Sequence, residues 1–307
     1  MAESKCTNCG GKGEFDPQLA FARLSSKHDK LADVLTRFMA STAATPDTVA
    51  RVAIAEQLTR EVERILGGRP TDAFPECCLI GHRNSNGTIS WFCSGVLIHA
   101  QIVLTAGHCF LSDERANVVA LATSNQNQLE HAELLNIRRL AVHPRYQQTR
   151  QISDMTVVIL RTPAVTPPIP IATTPELSDA RQMTLVGFGN EDINSTKGFG
   201  VKREVEVDIR SIRRAATDDL DTDEHLLGYE SDLEFVAGGK GFDTCNGDSG
   251  GPVYVVIDGG RKLAGITSRA TETAVHACGD GGIYTRIDVH LDFIRQVARD
   301  AGITTFE

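Results

Sequence analysis

Three short segments carry residues suited to nucleophilic chemistry, and they follow one another in the order His, Asp, Ser. They are Leu104-Thr105-Ala106-Gly107-His108-Cys109, Asp154-Met155-Thr156-Val157-Val158-Ile159-Leu160 and Gly247-Asp248-Ser249-Gly250-Gly251-Pro252. A serine hydroxyl is a weak nucleophile at its free pKa and needs a neighbouring imidazole to take its proton. That imidazole must be held in one tautomer, which a buried carboxylate does. Negative charge then develops on the attacked oxygen, and glycine lets backbone N–H groups crowd in to meet it. Ser249 as nucleophile, His108 as base, Asp154 as orienting partner and the N–H groups of Gly247 and Ser249 as donors answer those needs. Singly, each segment has an ordinary explanation: a structural histidine behind a strand, an aspartate in a turn, a serine in a glycine loop. Chance does not readily supply all three in this order.

The surrounding chain has to position these residues. After Gly68, short β-branched and apolar runs alternate with Gly, Pro, Asn and Asp turns. Gly95–Leu104, Thr156–Leu160, Met183–Gly187, Glu204–Ile212 and Pro252–Ile257 are examples, and many such strands predict a sandwich or barrel. The last run, Val289–Ala301, reads as a helix with Val289, Phe293, Ile294 and Val297 on one face. Residues 1–64 have a different texture. Leu19, Leu24, Leu31, Val34, Leu35 and Phe38 recur at helical spacing. Thr45-Pro46-Asp47 opens a second helical run through Val49, Val52, Ala53, Leu58, Val62 and Ile65, which Gly67-Gly68 stops. The expected division is a helical segment, 1–64, and an all-β part, 65–307.

With 307 residues and 41% hydrophobic content the chain can bury ample core. Its net charge of −9 comes from the part after residue 64, since the first 64 residues balance. That argues against a nucleic-acid partner. No apolar run is long enough for a membrane span. The start, MAESKCTNCGGKGEF, lacks the apolar stretch of a secretory signal, so the sequence leans towards a cytoplasmic protein.

The segments Thr-Ala-Gly-His-Cys and Gly-Asp-Ser-Gly-Gly-Pro resemble those of the chymotrypsin/trypsin family of serine peptidases, and the likeness runs from Ile65 to the C-terminal helix. The resemblance implies two six-stranded antiparallel β-barrels with His108, Asp154 and Ser249 in the cleft between them. It implies cleavage of proteins or peptides with no cofactor and no metal. It also makes Arg64-Ile65-Leu66-Gly67-Gly68 similar to the family's activation site, with a freed Ile65 ammonium pairing with Asp248. The alternative there is that Gly67-Gly68 only caps a helix. If the bond is cut, 1–64 is a pro-segment; otherwise it is a helical adaptor with a partner of its own.

Asp243, six residues before Ser249, corresponds to the base of the family's primary specificity pocket, where a carboxylate selects Arg or Lys. Gly282 and Tyr284 resemble the far wall of that pocket, and Ser268 the start of the substrate-facing strand. The family's usual Trp-Gly after Ser268 is here Arg269-Ala270. Arg269 is therefore a candidate to narrow the pocket or neutralise Asp243. The acidic run 217–234 reads as a loop that is simply solvated, or that meets basic substrate flanks, or that binds calcium.

By resemblance, Cys93–Cys109 and Cys245–Cys278 form disulfides, which favours an oxidising compartment and stands against the cytoplasmic reading. Cys6 and Cys9 fit half of a zinc knuckle, which Cys77 and Cys78 are placed to complete, or those two bridge the N-terminal segment to the catalytic part. Free thiols are the alternative. A non-catalytic binding module on the same fold is the rival from another class. Such modules usually lose a triad residue, and this chain keeps all three.

Overall fold

The computed structural model describes residues 68–110, 116–192, 196–212, 223–239, 241–276 and 278–306. The helices expected within 1–64 lie outside these residues, as does the Arg64–Ile65 bond.

Thirteen strands appear among the described residues. β2 (Cys77–Arg83), β3 (Ile89–His99), β4 (Ile102–Thr105), β5 (Val118–Leu121), β6 (Glu133–Val142) and β7 (Thr156–Leu160) close a barrel in the order β2-β3-β4-β7-β6-β5. β8 (Gln182–Gly187), β9 (Arg203–Ile212), β10 (Glu234–Ala237), β11 (Pro252–Ile257), β12 (Gly260–Ala270) and β13 (Gly282–Arg286) form the second. It closes because β8 pairs with both β9 and β11, and β1 (Arg69–Pro70) adds to β9 at its edge. The pairings between these strands are antiparallel, as a two-barrel architecture expects.

Strand alternation explains why the shared strands look apolar on both faces. In β7, Val158 and Leu160 point into the first barrel with Ile80, Leu97, Val103 and Leu121. Val157 and Ile159 point the other way, into a cluster that also holds Leu79 and Leu104 together with Phe188, Tyr254 and Ile266 of the second barrel. Successive side chains alternate faces, so a strand walled by core on both sides reads as a continuous run, as Thr156–Leu160 does. The second barrel has its own interior of Leu185, Val207, Phe235, Val253 and Ala264.

Two expectations change in detail. Gly95–Leu104 is not one strand but the tip of the β3–β4 hairpin, with Leu97 opposite Val103 and His99 opposite Ile102. The polar His99 and Gln101 mark the turn inside an otherwise apolar run. The C-terminal helix spans Leu291–Asp300 and buries Ile294, Val297 and Ala298 against the inter-barrel cluster. Val289 precedes it in a 3-10 turn and is exposed. The β11–β12 hairpin turns at Asp258-Gly259, both at positive φ, the arrangement that suits right-handed strand twist. No helix among the described residues is long and apolar enough to cross a membrane.

One buried polar pair fastens this helix. His143 and His290 stack edge-on with ring centroids 4.8 Å apart, and His143 also packs on Phe293. Neither ring nitrogen of His290 has a hydrogen-bond partner among the described residues. Burial lowers the pKa of His290 to about 3 and that of His143 to about 4, with Arg145 adding to both and Asp288 opposing at His290. The folded protein thus binds fewer protons than the unfolded chain below the usual histidine pKa of about 6.5. This part of the stability is present above that value and is lost as the pH falls. Denaturant unfolding of wild type and His290→Phe should diverge between about pH 6.5 and pH 4, the variant losing less; parallel curves would refute the assignment.

Candidate active site

Strand register brings His108 and Asp154 together. Thr105 of β4 lies opposite Thr156 of β7. His108 follows β4 in a short 3-10 turn and Asp154 lies two residues before the start of β7, so antiparallel pairing sets both at one end of the barrel. His108 Nδ1 lies 2.7 Å from Asp154 Oδ2, and the His108 backbone N–H donates to Oδ1 at 2.8 Å. Asp154 is 0% exposed. Ser268 Oγ, from β12 of the second barrel, donates to Oδ2 at 2.7 Å, and Thr285 Oγ1 donates to the Asp154 carbonyl at 3.3 Å.

Ser249 comes from the loop that enters β11, and its Oγ is 2.8 Å from His108 Nε2. Ser94 of β3 anchors this loop. Its N–H donates to Ser249 O at 3.0 Å, and its Oγ donates to Gly247 O at 3.0 Å while accepting from Phe188 N–H at 3.1 Å. Gly250 sits at φ +76°, where a Cβ would stand 2.2 Å from Thr105 Oγ1. Among the described residues, no backbone carbonyl accepts from the N–H of Gly247 or Ser249. Neither donor is therefore spent on a backbone carbonyl.

Asp248 braces the same loop from behind. Gly189 N–H donates to its Oδ1 at 2.7 Å and Cys245 N–H to its Oδ2 at 2.8 Å. Burial pushes the Asp248 carboxyl up to about 6, against those two N–H groups and Arg203. A carboxylate so enclosed gains from a cationic partner.

Asp243 is 9% exposed. It accepts from Tyr284 Oη at 2.8 Å, Thr244 N–H at 2.7 Å and Gly281 N–H at 3.0 Å. Burial pushes it up to about 6, with these donors opposing. A Cβ on Gly282 would lie 2.7 Å from Asp243 Oδ1 and 2.6 Å from Tyr284 Oη, so a side chain there would fill the space over the carboxylate. Asp243, Tyr284 and Gly282 thus converge as their positions suggested, whereas the Ser268 hydroxyl is turned to Asp154.

Arg269 does not neutralise Asp243. Its guanidinium forms a two-pronged pair with Glu234, at 2.6 Å from Nη1 to Oε1 and 2.9 Å from Nη2 to Oε2, and so is not spent on Asp243. Glu234 also revises the reading of the acidic run as a loop. It is the first residue of β10 and is 0% exposed, while 217–222 lie outside the described residues.

Both expected disulfides, Cys93–Cys109 and Cys245–Cys278, are present. They tie β3 to the histidine turn, and the loop before Ser249 to the segment before β13. Cys77 and Cys78 are buried free thiols on opposite faces of β2, one in the inter-barrel cluster and one inside the first barrel. Adjacent strand residues point to opposite faces, so these two do not share a zinc site or reach another segment as a pair. Burial raises both thiol pKa values. Ser94, Gly187 and Gly189 were not singled out from the sequence. Their signal is steric and appears only when distant segments meet.

Two closed antiparallel barrels that meet at a linked Asp–His–Ser relay define a serine peptidase architecture. A trypsin family model matches residues 65–294. CLIP domain-containing serine protease B4 of Anopheles gambiae is 26% identical over 258 residues, 76% of this chain and 70% of that protein. Serine protease snk of Drosophila melanogaster is 26% identical over 260 residues, 79% of this chain and 59% of that protein. Tryptase of Mus musculus is 30% identical over 216 residues, 66% of this chain and 77% of that protein. The chain belongs to the trypsin family and is a serine-type endopeptidase, a hydrolase of peptide bonds.

The enclosure of Asp248 makes a direct prediction. A Cβ on Gly187 would stand 2.1 Å from Asp248 Oδ1, so Gly187→Ala displaces the carboxylate and with it the Gly247–Ser249 donors. Turnover of a peptide ester should fall on the order of 10²-fold; wild-type turnover with a folded variant would contradict this.

Proposed function

We propose that Ser249 is the nucleophile, His108 the general base and Asp154 the residue that fixes the imidazole. The observation that carries this is the unbroken chain of two contacts, Asp154 Oδ2 to His108 Nδ1 and His108 Nε2 to Ser249 Oγ. The Ser249 Oγ proton moves to His108 Nε2 as Oγ bonds to the substrate carbonyl carbon. The oxyanion takes hydrogen bonds from Gly247 and Ser249 N–H. Collapse breaks the C–N bond, His108 returns the proton to the leaving amine, and Ser249 is left as an ester. Water, deprotonated by His108, then attacks the ester and frees the acid and Ser249. Ser249→Ala should lose several orders of magnitude in kcat. A serine-reactive fluorophosphonate should label the wild type cut after Arg64 and not the variant; an unlabelled cut wild type would favour a binding module instead.

We further infer that the substrate residue before the cut bond is Arg or Lys, and that cutting Arg64–Ile65 activates the enzyme. The buried Asp243 supports the first reading, since its carboxylate lacks a cationic partner among the described residues and a guanidinium or ammonium would supply one. The sign of the pH effect follows. Asp243 is ionised above about 6, so affinity for Arg and Lys substrates should weaken as the pH drops below that value. Cleavage after a neutral residue by Asp243→Ser should lack this dependence. Measuring KM against pH for both enzymes tests it, and a pH-independent KM for Arg substrates in the wild type sinks the reading.

The enclosed Asp248 supports activation, because a new Ile65 ammonium would give it a counter-charge. Residues 1–64 are then a pro-segment and 65–307 the peptidase domain. Arg64→Gln should leave the chain uncut and poorly active, whereas full activity with an intact Arg64→Gln chain would refute activation at this bond. The two disulfides support an oxidising compartment over the cytoplasm. The substrates are proteins or peptides, and retention of 1–64 after cleavage would point to a partner for that segment.

A further inference from the structure

The Asp154 loop is held by an ion pair that the catalytic relay does not itself require. We propose that Arg269, paired with Glu234, is a positioning residue that fixes the segment ahead of Asp154 and, through Ser268, the Asp154 carboxylate itself. This rests on the reading of Asp154 as the orienting member of the relay.

The segment needs an external hold. Gln151 and Ser153 are both non-glycine residues at φ +52°, a left-handed conformation that costs energy and persists only where surrounding contacts enforce it. Ile152 between them is buried, and Asp154 follows at once. The guanidinium of Arg269 reaches across from β12. Its Nη1 donates to Gln151 O at 3.2 Å and lies 3.4 Å from Ser268 Oγ, the hydroxyl that donates to Asp154 Oδ2. Its Nη2 donates to Gly228 O at 2.9 Å. One planar group thus spans the Asp154 loop of the first barrel and the β10 region of the second.

Glu234 fixes the guanidinium in that pose. A two-pronged carboxylate pair sets both the position and the plane of an arginine, which a lysine ammonium does not. Glu234 Oε2 also accepts from Glu230 N–H at 2.9 Å. Burial raises the Glu234 carboxyl, with Arg269 drawing it back down. Other ionisable groups in the surroundings are Tyr146 and Asp154 from the first barrel, Glu272 beside Gly228, and the exposed Arg150–Glu230 pair, which contributes little in water.

A purely structural pair and a positioning pair differ in what a double replacement restores. Removing Arg269 alone strands a buried carboxylate and destabilises the fold, while replacing both partners by apolar residues of similar size removes that cost. The test uses the full chain after cleavage at Arg64–Ile65, for wild type and variants alike, with active sites counted by fluorophosphonate labelling at Ser249. Arg269→Met/Glu234→Met should stay folded, with a urea midpoint above that of Arg269→Met alone, yet show kcat reduced on the order of ten- to hundred-fold with KM within about twofold, as expected for a displaced catalytic group. Arg269→Lys should recover part of the kcat. Wild-type kcat in the stable double variant would overturn the proposal, and so would a raised KM at unchanged kcat, which would make Arg269 a substrate contact. A wild type that is not labelled at Ser249 overturns the reading of the relay and this proposal together, whereas a labelled wild type with a fully active double variant overturns this proposal alone.

Discussion

A carboxylate shut away from water must be surrounded by donors, and the rest of this structure is arranged around that demand at Asp154. Its two oxygens take the His108 N–H, the His108 ring and the Ser268 hydroxyl. The first two come from the end of β4 and the third from β12, so one buried side chain draws on both barrels. Losing such donors would leave a buried carboxylate poorly compensated, which makes the relation between the barrels part of the site and not only its scaffold. The inter-barrel cluster of Leu79, Leu104, Val157, Phe188, Tyr254 and Ile266 supplies the non-directional attraction. The polar contacts at Asp154 supply the alignment.

Close packing around the nucleophile loop limits which residues can be there. Gly250 is pressed against Thr105, and Gly187 and Gly189 against the Asp248 carboxylate. The Ser94 hydroxyl and N–H hold the carbonyls of Gly247 and Ser249. With those carbonyls tied down, the N–H groups on the same loop keep a fixed direction, which is what the proposed oxyanion donors need. The same logic extends to Asp243, whose donors from Thr244, Gly281 and Tyr284 hold it in place while Gly282 leaves the approach to it open.

The cysteines show how position decides chemistry. Cys93–Cys109 and Cys245–Cys278 each brace a segment that carries a relay residue or leads to one. Cys77 and Cys78 are neighbours in sequence, yet strand geometry sends them into different cores, where burial keeps them as packed thiols. Arg269 is the converse case. Beside the proposed specificity pocket a guanidinium looks like a threat to Asp243, but a buried Glu234, distant in sequence, captures it in two-pronged geometry.

The sequence by itself singled out His108, Asp154, Ser249 and Gly247 and showed the strand-rich texture after Gly68, because each is a matter of residue type and local spacing, while Asp243 came from the family resemblance. Thr156–Leu160 and Pro252–Ile257 were legible as strands to the residue, since strong β-branched runs bounded by turns leave little choice. Only the tertiary structure decided where the Gly95–Leu104 run folds back, which way Cys77 and Cys78 point, that Ser268 serves Asp154, and that Arg269 belongs to Glu234. Those facts depend on contacts between residues such as Ser94 and Ser249, or Glu234 and Arg269, that lie far apart along the chain. Register and barrel closure create such contacts, and no local pattern encodes them.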